Sequence, residues 1–499
     1  MSLGLRFLPW CFVAVCCVLP AQAATRVTRG PWLQSVTWTN LIVKWRTSAS
    51  VNGQVRFGTD ATNLLWRVRH TSRSTEHSLT LTNLTPGTRY FYSVGTTTGT
   101  LLGGSNYYFT TSPLPGTRKR TRVWALGDSG AVGTNQSNVR DAFYAHLGTN
   151  ELDLMLLLGD NAYNKGLDRE YQAAFFNAYP TMLRHTAVWP TLGNHETAQS
   201  KAPASTIAYY KIFSLPKAGQ AGGMASGTED YYSFDYANIH FVCLDSMTSS
   251  RSATGTMARW LTNDLASTEQ PWIVAFWHHP PYSKGSHDSD KAIELVQMRQ
   301  NIVPLLERYG VDLVLCGHTH SYERSHLLDG HYGMTNTFNA TNVLDAGGGR
   351  ADGSGPYRKP AGVTGHNGTV YVVAGSASKL GKGDLNHPAM FISMNQLGSL
   401  YFEVSGDRLD AQFIRETGEI ADYFTIEKEA TPYQLTRADD MSRITWNSVL
   451  GVTYLVDFAS DPVSPVWTSA GPGIHGTGGL LSITNMTGME RCFYRIRTQ

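Results

Sequence analysis

The chain has 499 residues, a formal net charge of +2 and only 16% charged residues. Its length fits roughly two to four domains, and the near-neutral charge supplies no basic field for holding nucleic acid. The 48 glycines and 11% aromatic residues suit a β- and loop-rich fold and argue against a coiled coil or a disordered chain.

Residues 1–23 read as a secretory signal. Arg6 supplies the positive start, an apolar stretch runs from Phe7 to Leu19, and Ala21-Gln22-Ala23 is a small-residue cleavage site. The apolar stretch is shorter than the about 20 residues of a spanning helix, and no later segment is long and apolar enough either. The expectation is an exported protein, secreted or periplasmic, with no membrane partner. Cys11, Cys16 and Cys17 fall in the signal. Cys243 and Cys316 sit in apolar, strand-like runs and read as inert core residues.

Residues 24–113 read as a small β-sandwich. The runs Leu41–Trp45, Gly53–Phe57 and Arg89–Val94 are rich in β-branched and aromatic residues, with turns at Asn52-Gly53 and Pro86-Gly87 between them. The stretch Leu79–Tyr90 resembles the strand-turn-strand signature of fibronectin type III domains. Ser112–Gly116 makes a linker. Residues 121–428 then alternate apolar strands with helical stretches, which predicts an α/β domain. Helical spacing is clearest over Glu294–Tyr309. From about Gly330 glycine and strands increase, notably at Thr369–Ala374, Ser399–Val404 and Arg408–Ile414. Residues 430–499 read as a second small β module, with strands at Ser442–Trp446, Thr453–Phe458 and Phe493–Arg497 and no chemistry attached.

Five segments of the α/β region share one layout, an apolar strand followed by polar, ligand-type residues. Val123–Leu126 runs into Gly127-Asp128-Ser129-Gly130. Leu152–Leu158 runs into Gly159-Asp160-Asn161-Ala162-Tyr163. Val188–Leu192 runs into Gly193-Asn194-His195-Glu196. Trp272–Trp277 runs into His278-His279-Pro280-Pro281-Tyr282, and Val311–Cys316 into Gly317-His318-Thr319-His320. The C-terminal strand ends of an open α/β sheet form its ligand crevice, so these residues should converge. Any one of them alone is as easily a turn or a packed strand end; all five in order within one domain argue for a site. Carboxylate and amide oxygens suit hard cations and imidazole suits zinc, iron, copper and nickel. Asp128, Asp160, Tyr163, Asn194, His278, His318 and His320 supply enough donors for two ions if one carboxylate is shared.

This series resembles the metallophosphoesterase superfamily, and within it the purple acid phosphatases. Tyr163 after Gly159-Asp160 is the discriminating residue, and Gly317–Arg324 is similar to the plant-type members. The resemblance covers roughly residues 25–428. It implies an αββα sandwich preceded by a fibronectin III-like β-sandwich, with the C-terminal module outside the family pattern. It also implies a binuclear centre. Asp128, Asp160, Tyr163 and His320 would hold iron(III); Asp160, Asn194, His278 and His318 would hold a second divalent ion, iron, zinc or manganese. Asp160 would bridge, His279 would lie outside the donor set, and His195 would contact substrate phosphate. His287 falls where longer members carry a second phosphate-facing histidine; the competing reading is an exposed loop histidine.

The implied activity is hydrolysis of small phosphate monoesters by a metal-bound hydroxide. Two ions about 3.5–4 Å apart clamp the attacking and leaving oxygens of an in-line displacement. A phosphodiesterase or nucleotide pyrophosphatase would share all seven ligands and differ in the pocket loops. A non-catalytic exported binding protein is the rival class; a relic of that kind should have lost ligands, and this chain keeps all seven.

Overall fold

The computed structural model describes residues 24–198 and 206–429, and, toward the C-terminus, 433–438, 441–448, 453–461, 465–477, 479–486 and 492–498. The segment read as a secretory signal lies outside the described residues. Among the described residues no helix is long and apolar enough to cross a membrane.

Two mixed sheets form the centre. The larger has ten strands, in the order Tyr357–Pro360, Ile420–Glu429, Arg408–Arg415, Gly398–Ser405, Thr121–Leu126, Leu154–Leu157, Ala187–Pro190, Val27–Gln34, Leu41–Val51 and Ser74–Leu81. The smaller has seven, in the order Tyr232–Tyr236, Ile239–Cys243, Trp272–Trp277, Leu313–Cys316, Val370–Ala374, Tyr322–Ser325 and Met390–Met394. The middle of each is parallel. Parallel strands are covered on both faces, which is why these runs are almost wholly apolar. In the strand Trp272–Trp277, Val274 and Phe276 pack between the sheets, while Ile273, Ala275 and Trp277 pack outward with Met257, Leu261, Met298 and Leu306 of the covering helices. That is the period-two alternation of a strand serving two cores. On the outer face of the larger sheet Trp124 stacks on Phe143 of the helix Thr134–Leu147, centroids 4.0 Å apart. The layers are therefore helix, sheet, sheet, helix.

The helix predicted over Glu294–Tyr309 exists, but not as one regular α-helix. It runs as Ile293–Gln297, a π turn over Met298–Ile302, and Val303–Arg308. Pro304 lies just past the π turn, where its missing N–H leaves no bond to break.

The N-terminal β-sandwich pairs the strands Val27–Gln34, Leu41–Val51 and Ser74–Leu81 with a second sheet built on Gly53–Gly58 and Arg89–Thr96. The Tyr90 hydroxyl accepts a hydrogen bond from the Thr85 amide at 2.9 Å, pinning the turn before its own strand as tyrosine corners do. The sandwich does not sit apart from the central domain. Leu33 pairs in parallel with Ala187, so one sheet runs through both. Buried Gln34 donates to Val188 O at 3.1 Å and accepts from the Ser214 amide at 3.1 Å. Buried Arg29 pairs with Asp168 at 2.7 Å, and Lys44 reaches Lys211 O at 3.1 Å and Ser214 Oγ at 3.0 Å.

The C-terminal strands close their own small core of Ile444, Trp446, Tyr454, Val456, Tyr494 and Ile496. Cys243 and Cys316 are buried free thiols, each the last residue of its strand.

Candidate metal centre

Each ligand-type residue follows a strand end through a tight turn. Asp128, Asp160 and His318 take left-handed backbone conformations, with φ of 56°, 53° and 67°. Few non-glycine residues do so, and such strain persists only where the surroundings over-determine it. The surroundings are close here. A Cβ on Gly317 would lie 2.6 Å from Asp128 Oδ2, and one on Gly193 would lie 2.2 Å from the Asp160 amide nitrogen. Glu196 fixes the second and third turns together. Its buried carboxylate accepts from the amides of Asp160, Asn161 and Gly193 at 2.9, 2.8 and 2.8 Å. Burial, with the Asp160 charge behind it, raises that carboxyl to about 7.

The donor atoms gather in two sets. In the first, Tyr163 donates from its hydroxyl to Asp128 Oδ1 at 3.0 Å, and His320 Nε2 lies 3.2 Å from that hydroxyl and 3.3 Å from Asp128 Oδ1. Asp128 Oδ2 is occupied by the His318 amide at 2.6 Å, which leaves Oδ1 to face the set. In the second, Asn194 Oδ1 is 3.0 Å from both His278 Nε2 and His318 Nδ1, which are 3.2 Å from each other. Asp160 stands between. Its Oδ1 is 3.6 Å from His278 Nε2, and ligand atoms of Asp128, Asp160 and His278 lie within 4.8 Å of one another.

The chemistry of these atoms fits metal ions. His278 Nδ1 donates to Leu158 O at 2.8 Å, so neutral His278 turns the lone pair of Nε2 toward Asn194 Oδ1, an acceptor facing an acceptor. A cation between them resolves the contact, and a ligating histidine normally gives its other N–H to such a carbonyl. Burial pushes the Asp160 carboxyl up. It drives the Tyr163 phenol far above its ordinary value, with Asp128 and Asp160 adding to the shift. Positive charge at the centre would reverse both, since it favours carboxylate and phenolate.

The remaining histidines ring this core. The His195 amide donates to Asp160 Oδ1 at 2.9 Å and its Nδ1 lies 2.6 Å from Asn164 O, which leaves Nε2 3.7 Å from Asp160 Oδ2. His287 is brought to the centre as well: its ring stacks on His318 with centroids 3.9 Å apart, and its Nδ1 is 3.2 Å from Ser286 Oγ. Burial, then the charge of His320, holds His287 below the usual imidazole value. His279 is buried against Ser246 Oγ at 2.9 Å, and its ring meets His318 edge-on. It belongs to neither donor set.

Four residues around the centre carry no role in the sequence reading. Glu196 lies inside a recognised motif but is a turn anchor rather than a donor. Ser286 accepts from the His320 amide at 3.1 Å. Ser378 and Lys379 come from the loop after Val370–Ala374; Lys379 places its ammonium 3.4 Å from the centroid of the Tyr163 ring. The signal for that loop was present in the sequence. The layout of an apolar strand followed by glycine and polar residues recurs a sixth time at Val370–Ala374 and Gly375-Ser376.

This layering is that of the metallophosphoesterase fold. A family model of calcineurin-like phosphoesterases matches residues 121–322, and the model of the purple acid phosphatase N-terminal domain matches residues 31–111. With these two domains in this order, the chain is similar to the purple acid phosphatases of the metallophosphoesterase superfamily. It is 30% identical over 275 residues to purple acid phosphatase 23 of Arabidopsis thaliana, covering 50% of this chain and 57% of that protein. Purple acid phosphatase 15 of the same plant is 29% identical over 274 residues, 50% of this chain and 49% of that protein. An uncharacterised protein of Mycobacterium tuberculosis is 28% identical over 339 residues, 59% and 61% of the two chains. The chain thus spans about half the length of the curated relatives it matches. The solved purple acid phosphatase from yellow lupin (Lupinus luteus) seeds shares the fold, with a TM-score of 0.61 at 19% identity over 81% of this chain and 74% of that one.

Proposed function

We propose that the chain is an exported binuclear-metal phosphatase that hydrolyses phosphate monoesters, with acid phosphatase activity. The observation that carries this reading is the pair of donor sets with Asp160 between them. Asp128, Asp160, Tyr163 and His320 hold iron(III), for which a phenolate is a fitting donor. Asp160, Asn194, His278 and His318 hold a divalent ion, iron, zinc or manganese. When bound, the two ions supply the Lewis acidity and the activated water that an in-line displacement at phosphorus needs.

The chain's own residues orient the reaction. His195, tied through Nδ1 and its amide, donates the Nε2–H of its imidazolium form to a phosphoryl oxygen. His287, held against His318 and Ser286, gives a proton to the departing alkoxide oxygen, a step worth about 10²–10⁴-fold when the donor is positioned. Glu196 keeps the Asp160 and Asn194 turns in register without touching substrate. Export rests on the signal read in residues 1–23.

The test measures metal content and turnover on phosphomonoesters, diesters and pyrophosphates across pH. Two metals per chain and preferential monoester hydrolysis are expected, with both lost in Asp160→Asn. Near-wild-type turnover in Asp160→Asn would refute the shared carboxylate. A preference for diesters or pyrophosphates would make the protein a phosphodiesterase or a nucleotide pyrophosphatase on the same metals.

A further inference from the structure

Lys379 is held over the centre by a loop with little freedom. Ser378 Oγ donates to Asp128 O and accepts from the Ala131 amide at 3.1 Å. Beyond Lys379, the Gly381 amide donates to His320 O at 2.9 Å, and the Leu385 amide to Lys284 O at 2.9 Å. The glycines between allow this close seating. A Cβ on Gly381 would lie 2.4 Å from Ser286 Cβ, and one on Gly383 would lie 2.0 Å from Gly285 O. The loop is thus fastened on one side of Lys379 to the Asp128 turn and on the other to the His320 turn, both of which belong to the first donor set.

Between those fastenings the half-buried Lys379 side chain lays its ammonium on the face of Tyr163, 3.4 Å from the ring centroid. Among the described residues no carboxylate pairs with it. His195 meets the same ring edge-on, with centroids 4.4 Å apart. A cation on an aromatic face is attracted by the π density there, more strongly where water is excluded. The converse also holds: the cation lowers the energy of the ring's electrons. Tyr163 is the residue of the first donor set whose electrons are most easily drawn toward an oxidising metal, and Lys379 sits on its ring.

We propose that Lys379 is a positioning residue that sets the electronic character of the first metal through Tyr163, by weakening the donation of the phenolate ring to the ion. The inference rests on the reading of Tyr163 as an iron(III) ligand. Two consequences follow from the sign of the charge. The ammonium lies on the donor ring, so it lowers the donor more than the acceptor and moves the phenolate-to-iron charge-transfer band to shorter wavelength. Weaker donation also leaves iron(III) less stabilised relative to iron(II), so the ion is easier to reduce and a stronger Lewis acid. Groups around a ligand tune a metal in this way without touching it.

The experiment records the visible spectrum, the iron content and the midpoint potential of the holoenzyme for wild type, Lys379→Met, Lys379→Gln and Lys379→Arg. Met and Gln should keep two metals per chain, shift the band to longer wavelength and lower the midpoint potential. Arg, which keeps a cation for the ring face, should stay near wild type in both. Gln serves as the second neutral variant should Met disturb the loop. A coloured wild type whose band and potential are unmoved in iron-loaded Met and Gln variants overturns the proposal and leaves the Tyr163 assignment standing. A colourless iron(III)-loaded wild type overturns the Tyr163 assignment and the proposal with it.

Discussion

Gly159→Ala tests the second donor set with one methyl group. Gly159 has φ +89°, and a Cβ there would lie 2.5 Å from His278 Nδ1 and 2.8 Å from His278 Cγ. Ordinary contact begins at 3.4 Å, so the imidazole must retreat by about 0.9 Å, close to the ~1 Å misplacement that costs about 10²-fold in rate. The ring has nowhere easy to go, because Nδ1 is bonded to Leu158 O and Nε2 faces Asn194 and His318. The left-handed backbone adds a penalty of roughly 1–2 kcal/mol for any residue with a Cβ. Gly116→Ala separates the two effects, since Gly116 has φ +83° and its added Cβ would meet nothing within 4 Å. Denaturant melts should show the backbone penalty in both variants and a further loss from the clash in Gly159→Ala. Metal analysis and steady-state kinetics should single out Gly159→Ala, with the divalent ion lost on dialysis, kcat/KM down about 100-fold, and the Tyr163-to-iron colour kept. Full divalent metal content and wild-type kcat/KM in Gly159→Ala would refute the placement of His278 as a ligand.

Three further outcomes are expected. His287→Ala should slow alkyl phosphate hydrolysis by about 10²–10⁴-fold and aryl phosphate hydrolysis much less, because a phenolate leaves without a proton; equal losses on both substrates would remove the proton-donor role. Burial alone would lower the pKa of His240, but hydrogen bonds to Asp235 at 2.7 Å and Asp264 at 2.9 Å outweigh it and hold the group at about 9. Its stabilisation is therefore complete below about pH 6.5 and lost as pH rises through about 9. The stability gap between wild type and His240→Gln should shrink by about 3 kcal/mol over that range, and a pH-independent gap in denaturant melts would show that His240 is not charged in the fold. A chain ended at Glu429 should keep its turnover number, since the C-terminal strands close their own core; lost catalysis at normal metal content would show that they shape the site.

The parts of the fold that were readable in the sequence are those with a local physical signal. The run Trp272–Trp277 is a strand over the same residues, because six apolar residues in a row have few other places to go. The turns after the strands were legible because glycine beside Asp, Asn or His at a strand end is unusual chemistry for a mere loop. Long-range pairing leaves no such mark. Nothing in Val27–Gln34 announces that Leu33 will pair with Ala187, more than 150 positions away. The π turn at Met298–Ile302 was invisible for a different reason, since one extra residue in a turn barely disturbs helical spacing. Lys379 bears no local mark of its place, since an ammonium has no lone pair to give a metal and only the folded loop brings it to Tyr163.

The single sheet that passes through both N-terminal domains makes the first of them a selvedge, the woven border that stops a cloth from fraying. Without it, the strand Ala187–Pro190 would present bare amides and carbonyls at the rim of a fully apolar stretch, a template on which other chains can pair. That strand leads directly into Asn194, His195 and Glu196, so fraying at the rim would reach the metal centre within a few residues. A catalytic fragment starting near Thr121 would tend to associate through this edge. A foreign sandwich grafted in its place would have to bring its own Leu33, Gln34, Arg29 and Lys44 to be of use.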